Sequence, residues 1–250
     1  DEVIAAGSHD KLPDIEVSLG DDALILYTSG TTGRPKGAVL NHQNLTFNTI
    51  NQLAHVDVLG SDVVLCAAPL FHVTGLGQVS LPTIFKGGTV VMAPKFDPAW
   101  MLATIAAKRI TAFSAVPTML QLLCDHPDFA TSDLSSLRYV IYGGSPALER
   151  VATAWQARGV AILHGYGMTE AAPGVTLAMP DSANSRPTSA GVLHFFTDAL
   201  VADNGELLVR GPNVFRGYWN RPQETEATFQ DGWFRSGDVV RFDSHGWSYV

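Results

Sequence analysis

The sequence predicts an α/β fold, with parallel-rich sheets and flanking helices, followed by a β-rich subdomain. Three observations carry this prediction. Up to about residue 172, short β-branched and apolar runs alternate with helical patterns. Beyond Pro173 the helical patterns fade, and strand-like runs separated by glycine turns replace them. Hydrophobic residues make up 46% of the 250 residues and charged residues 16%, a globular composition that can bury a substantial core.

Taken in order, residues 1–20 are polar, punctuated by Gly, Pro and Asp, and read as a leading loop. Residues 24–27 form a strand, and residues 41–55 a helix with Asn41 as its N-cap. Residues 63–66 are a strand, 75–85 a buried apolar helix, and 89–92 a strand. Asp97-Pro98 supplies an N-cap and first-turn proline for a helix to about Lys108. Strand 112–115, helix 117–124 and strand 138–142 follow, then a helix over 146–158 that stops at Gly159, and a strand over 161–163. In the β-rich portion, residues 206–210, 233–234, 239–242 and 247–250 are strands. The division is therefore an α/β portion over 1–172 and a β-rich portion over 173–250.

Net charge is −8 with no Lys/Arg cluster, which argues against nucleic acid and against an anionic membrane surface. The most apolar region, 63–92, is broken by His72, Gln78, Lys86 and several Gly and Pro, so no transmembrane segment is expected. The two cysteines, Cys66 and Cys124, lie far apart in apolar stretches. They read as buried core thiols of a reducing, cytoplasmic setting, not as a metal site or disulfide framework. The chain starts without Met or signal peptide and stops inside a strand-like run, so both ends look cut.

The most informative stretch runs from Thr28 through Ser29, Gly30, Thr31, Thr32, Gly33, Arg34, Pro35 and Lys36 to Gly37. It packs four hydroxyls, three glycines and two cations into ten residues after a strand. Glycines let backbone N–H groups approach an anion, hydroxyls donate to phosphate oxygens, and Lys36 supplies a mobile positive charge. This is the chemistry of a polyphosphate cradle; the plain alternative is a flexible surface loop. It is not a Walker A loop, because Pro35 precedes the lysine and Gly37 follows it. A second stretch, Leu163-His164-Gly165-Tyr166-Gly167-Met168-Thr169-Glu170, offers an aromatic face, a hydroxyl and a carboxylate suited to Mg²⁺. In Tyr142-Gly143-Gly144-Ser145-Pro146, two glycines permit close approach of a ligand before a helix. Asp238, in Trp233-Phe234-Arg235-Ser236-Gly237-Asp238, is either a sugar clamp or a turn residue. His72, among apolar neighbours, reads by default as a core histidine.

The stretch from Tyr27 to Val39 resembles the signature loop of the adenylate-forming superfamily, which includes acyl-CoA and aryl-CoA synthetases, nonribosomal adenylation domains and some luciferases. The resemblance extends from about Leu24 to the end. It implies that Thr28, Ser29, Gly30, Thr31, Thr32, Gly33 and Lys36 wrap the β- and γ-phosphates of ATP. It implies that Tyr166, between Gly165 and Gly167, lies against adenine and that Thr169 contacts the α-phosphate. Glu170 and Thr28 would hold Mg²⁺, and Asp238 the ribose hydroxyls. Gly143, Gly144 and Ser145 would line the adenine and acyl pockets. His72, Val73, Gly75, Val116 and Gly144 would face the acid. Lys36, His72, Thr169 and Glu170 would be the catalytic set. A His at position 72, where amino-acid-activating members carry an Asp for the substrate ammonium, leans away from amino acids.

The implied reaction is ATP-dependent activation of a carboxylic acid, expected to be a fatty acid, to acyl-AMP. Transfer to coenzyme A as co-substrate would follow. Alternatives are a non-catalytic nucleotide-binding fragment and a luciferase-like oxygenase. The resemblance also implies that both portions belong to one large domain, with a small C-terminal domain absent. Residues 199–206 are shorter than the family's usual segment. Oligomeric state is not legible in the sequence.

Overall fold

The computed structural model describes residues 6–7, 14–28, 34–145, 148–181, 183 and 185–250. Strand β1 (Asp22–Thr28) pairs antiparallel with β2 (Lys36–Asn41), so that Thr28 lies opposite Lys36. Sequence reading missed β2 because Lys36-Gly37 reads as loop chemistry, yet Ala38 and Leu40 of this strand are fully buried. Helix α1 (His42–His55) follows at once. Asn41 caps it as expected: its side chain accepts from the Asn44 N–H, and the Asn44 side chain accepts from the Asn41 N–H.

The central sheet has seven strands in the order β4-β3-β5-β6-β7-β8-β9. Strands β3 (Val63–Cys66), β4 (Thr89–Met92), β5 (Ala112–Ala115), β6 (Tyr139–Gly143) and β7 (Ala161–Gly167) run parallel. β8 (Gly174–Leu177) and β9 (Val192–Leu193) then join antiparallel. Between the parallel strands lie α2 (Leu81–Phe85), α3 (Pro98–Lys108), α4 (Pro117–Cys124) and α5 (Glu149–Ala157). The side chain of Asp97 caps α3, accepting from the Trp100 N–H at 2.9 Å. The core beneath α3–α5 is apolar throughout: Trp155, Phe113, Met101, Ile105 and Leu120 are fully buried. The Trp155 ring meets those of Phe113 and Phe129 at 5.9 and 5.0 Å.

Three expectations need correction. The helix expected over 75–85 is a π-helical turn (Thr74–Ser80) followed by α2, whose Pro82 has no N–H to continue the earlier ladder; Ile84 and Phe85 at its end are exposed. The helix expected over 146–158 is observed over Glu149–Ala157; Pro146 and Ala147 lie outside the described residues. Gly159 does take the left-handed conformation that ends it, with φ +75°. Of the two thiols, Cys66 is buried but Cys124 is only half-buried, its pKa pushed up to about 11 by burial.

Beyond β9 the chain forms β10 (Asp198–Val201), β11 (Glu206–Arg210), β12 (Gly217–Tyr218), a short helix α6 (Pro222–Thr228), β13 (Phe229–Gln230), β14 (Trp233–Val239), β15 (Arg241–Phe242) and β16 (Ser248–Tyr249). These make a four-stranded sheet β10-β11-β14-β13 and a two-stranded β15-β16, while β12 completes a sheet β1-β2-β12. All three are antiparallel, so among the described residues parallel pairing is confined to the large sheet. Residues 199–206 close as a compact hairpin, with Gly205 at φ +83°.

Helix α1 joins these sheets through an unusual face, for its buried residues are Asn44, Asn48, Thr49, Asn51, Gln52 and His55. The Asn44 amide donates to the carbonyls of Pro212 and Val214, at 2.9 and 2.7 Å. Asn48 donates to the Gly77 carbonyl and accepts from the Gly174 N–H, at 2.9 and 3.0 Å. Asn51 donates to Thr197 Oγ1 and accepts from the Phe196 N–H. Each asparagine satisfies backbone groups that no ladder reaches, which is why a polar face can be buried here.

Candidate functional site

A cleft of about 650 Å³ opens where the C-terminal ends of β5, β6 and β7 meet the β1-β2-β12 sheet and the end of β14. That position follows from the fold, since parallel sheets present their strand ends and turns as a ready crevice. Gly143 and Gly144 end β6; Gly165, Tyr166 and Gly167 end β7; all five line the cleft. Gly144 sits at φ +98°, a conformation that a side chain would strain. Gly167 has the Pro173 carbonyl against its Cα, leaving no room for a Cβ.

Lys36 and Thr28 come from the paired ends of β1 and β2, and Thr28 Oγ1 lies 3.5 Å from the Lys36 carbonyl. The Lys36 ammonium stands 4.6 Å from the centre of the Tyr218 ring. The Tyr218 hydroxyl donates to Glu170 Oε1 at 2.7 Å, and burial, then the Glu170 charge, raise the Tyr218 pKa above its ordinary value. Glu170 is itself buried, on the short turn Thr169–Ala171 after β7. On the opposite rim the Tyr166 hydroxyl donates to Asp238 Oδ2 at 2.7 Å. Burial, then that bond, raise the Tyr166 pKa. Glu206 accepts from Arg235 Nη2 at 2.8 Å and from the Gly237 N–H at 3.2 Å. The Arg235 bond holds its carboxyl below the ordinary range.

Thr28, Lys36, His72, Val73, Val116, Gly143, Gly144, Gly165, Tyr166, Gly167, Thr169 and Glu170 all line this one cleft. His72 is exposed there, not a core histidine; its Nδ1 accepts from the Thr74 N–H at 3.2 Å. Asp238 reaches the cleft through its bond to Tyr166. Gly75 is packed against the carbonyls of Ala68 and Pro69 and shapes the π-turn, and Ser145 is exposed beyond Gly144; neither lines the cleft. Ser29, Gly30, Thr31, Thr32 and Gly33 lie outside the described residues.

Sequence reading missed Tyr218, Glu206, Gln52, Gln78 and His194, all of which line the cleft. Tyr218 and Glu206 carried a signal, the Gly217-Tyr218-Trp219 and Gly205-Glu206-Leu207 runs within the region that resembles the family; Gln52, Gln78 and His194 carried none. For a divalent cation, the oxygen donors Glu170 and Thr28 suit Mg²⁺. Among the described residues no group of three or more His, Cys, Asp or Glu could hold a metal. The set therefore fits an ion that takes its remaining ligands from phosphate and water. Among the described residues, no helix is long and apolar enough to cross a membrane.

The profile of the AMP-binding enzymes matches residues 2–219. A feruloyl-CoA synthase of Amycolatopsis sp is 46% identical over 96% of this chain and 51% of its own length. A fatty acyl CoA synthetase of Mycobacterium tuberculosis superposes with TM-score 0.92 at 31% identity, covering 100% of this chain and 50% of that one. The o-succinylbenzoate coenzyme A synthetase of Bacillus subtilis, solved with ATP and magnesium ion, superposes with TM-score 0.88 at 30% identity, covering 100% of this chain and 54% of that one. The chain thus spans about half the length of these relatives. With residues from several of these motifs on one cleft, and the family profile and the solved relatives matching over most or all of the chain, the chain belongs to the AMP-binding enzyme family.

Proposed function

We propose that this chain carries the ATP- and acid-binding cleft of a carboxylic acid–CoA ligase. The observation that carries the reading is the convergence of Lys36, Thr28, Thr169, Glu170 and the Tyr166–Asp238 pair on one cleft. In the first step a carboxylate oxygen attacks the α-phosphorus of ATP, the bond to pyrophosphate breaks, and acyl-AMP forms. Lys36 and the hydroxyls of Thr28 and Thr169 meet the negative charge that grows on the phosphate oxygens in this reading. The Asp238 carboxylate accepts from ribose hydroxyls, and Tyr166 offers its ring to the base. Mg²⁺, held by Glu170 and Thr28, would neutralise phosphate charge. In the second step the thiol of coenzyme A displaces AMP and yields the thioester. His72, exposed on the cleft, meets the carboxylate in this reading.

The expected fatty acid draws support from the Mycobacterium fatty acyl CoA synthetase, and an aryl acid from the more similar feruloyl-CoA synthase. Two unpaired thiols accord with the cytoplasmic setting expected from sequence. The test is acid-dependent ATP–pyrophosphate exchange with Mg²⁺, on this chain and on a form extended to the length of its relatives. Exchange with at least one acid, reduced about 100-fold or more by Glu170→Gln, is expected of the extended form. ATP binding without exchange, for any of a panel of alkyl and aryl acids, would overturn the ligase and leave a nucleotide-binding module.

A further inference from the structure

Strand β14 brings Asp238 to Tyr166 by leaving its own ladder. Leu208 of β11 stands opposite Arg235, and Glu206 opposite Val239. Between these two pairs lies one residue of β11, Leu207, and three of β14, Ser236, Gly237 and Asp238. The longer side must bulge, and a bulge beside a site re-aims the side chains it carries. Gly237, at its middle, sits at φ +77°. Only glycine takes that conformation without strain, and it brings no side chain of its own to anchor the bulge.

The anchor comes from the facing strand. A bulged N–H has lost its ladder partner and needs another acceptor. Glu206 Oε1 supplies it, accepting from the Gly237 N–H at 3.2 Å. Its other oxygen, Oε2, accepts from Arg235 Nη2 and Nε at 2.8 and 3.3 Å. One carboxylate thus bonds the residue where the bulge begins and the residue at its middle. The Glu206 side chain is only 12% exposed, so these charge-assisted bonds are partly sheltered from water and stronger than those of a surface pair. Asp238 follows Gly237 directly. Its N–H bonds to Ser236 Oγ inside the same bulge at 3.1 Å, and its Oδ2 accepts from the Tyr166 hydroxyl. What fixes the Gly237 backbone therefore fixes the direction of the Asp238 side chain.

We infer that Glu206 is a positioning residue for Asp238: by holding the Gly237 N–H and Arg235 it aims the Asp238 carboxylate, and so sets the preference of the cleft for a ribonucleotide over its deoxy analogue. This rests on the adenylation cleft proposed above, in which Asp238 accepts from the ribose hydroxyls, and deepens it. Hydrogen bonds weaken steeply as their angle opens, so a carboxylate that serves the sugar hydroxyls tolerates little misdirection. A loosened bulge costs the bonds to those hydroxyls. A deoxy analogue lacks one of them and has less to lose, so the loss falls on the ribonucleotide.

The test is the affinity of the extended protein for ATP, 2′-deoxy-ATP and 3′-deoxy-ATP with Mg²⁺, by calorimetry. The unsubstituted protein should prefer ATP to at least one deoxy form by about tenfold or more. In Glu206→Ala that preference should fall to about twofold or less, through weaker ATP binding, with the deoxy form bound within about twofold of before. Glu206→Gln keeps an oxygen for the Gly237 N–H and should retain a preference at least about twice that of Glu206→Ala. Melting temperatures show whether the variants are folded. Should Glu206→Ala not fold, Glu206→Asp replaces it with the same expectation, because it is one methylene too short to reach both partners. An unchanged preference in the folded variant overturns the inference. Equal weakening of all three nucleotides makes Glu206 a structural residue and overturns it too, as does a Glu206→Gln no better than Glu206→Ala. If ATP binds with no preference even in the unsubstituted protein, the ribose role of Asp238 fails and the inference with it, while the cleft stands. If ATP does not bind, the adenylation reading itself fails.

Discussion

The interior under α3–α5 and the interior under α1 solve the same problem with opposite chemistry. In the first, Trp155, Phe113, Met101 and Leu120 bury apolar surface against one another, with the Trp155 indole N–H donating to the Leu120 carbonyl at 3.4 Å. Shape complementarity holds it together, and it needs nothing from outside. In the second, Asn44, Asn48 and Asn51 each bond to segments far away in sequence, and then Gln52 and Gln78 are left with side-chain oxygens that bond to nothing in the protein. One interior is finished on folding. The other is finished only in part, and the unfinished part borders the cleft.

The largest expected effect comes from the finished interior. Trp155→Ala removes a fully buried ring from contact with two others and leaves a cavity. Denaturant unfolding should show a loss of about 3–5 kcal/mol. A loss under about 1 kcal/mol would mean that this region packs more loosely than described. Next comes Asn48→Ala, which strands the Gly77 carbonyl and the Gly174 N–H in the interior. A loss of about 2–4 kcal/mol is expected in the same measurement. No loss would mean that the polar seam is wet and not a structural weld.

These two regions were also unequally legible. Strands 63–66, 89–92 and 112–115 and the helix from Asp97-Pro98 appear where sequence places them, because apolar periodicity and caps are local signals. β2 was hidden because a Lys-Gly start resembles a loop, and its pairing with β12 joins Val39 to Gly217, a partner no local pattern can name. The asparagines of α1 carry no periodic apolar signal, since their partners lie up to 170 residues away. At the site, Lys36, Tyr166, Thr169 and Glu170 were legible because phosphate and metal chemistry needs those residue types in fixed motifs. The meeting of Tyr218 with Glu170 was not, because it depends on β12 crossing to β2. Gln52 and Gln78 stand in no motif, and only buried side-chain oxygens without partners mark them.

A smaller effect should separate the two regions by pH. The rings of His55 and His194 lie 4.5 Å apart, with both pKa values lowered by burial, that of His194 to about 3. In the unfolded chain each titrates near its ordinary value of about 6.5. The neutral imidazoles' contribution is therefore complete above that value and is lost as pH falls below it, because the unfolded state then binds protons that the folded state refuses. Between pH 7 and 5.5 the protein should lose about 1 kcal/mol from His194, with a further loss in the same direction from His55. His194→Asn should flatten the slope of stability against pH; an unchanged slope would mean that protons reach the pair in the folded state.

The smallest effect on stability is the most discriminating. Gln52→Leu and Gln78→Leu each remove a buried carbonyl oxygen that has no partner in the protein and substitute an apolar side chain of similar size. If those oxygens served the fold, the substitutions would cost as much as Asn48→Ala. Because they serve nothing in the fold, thermal unfolding should show a change of at most about 0.5 kcal/mol, or a gain, as the unpaid desolvation of each amide is relieved. Neighbouring polar residues on one helix would then divide cleanly, with the asparagines holding the fold and the glutamine oxygen adding nothing to it. A cost near that of Asn48→Ala would erase the division and make the whole seam structural.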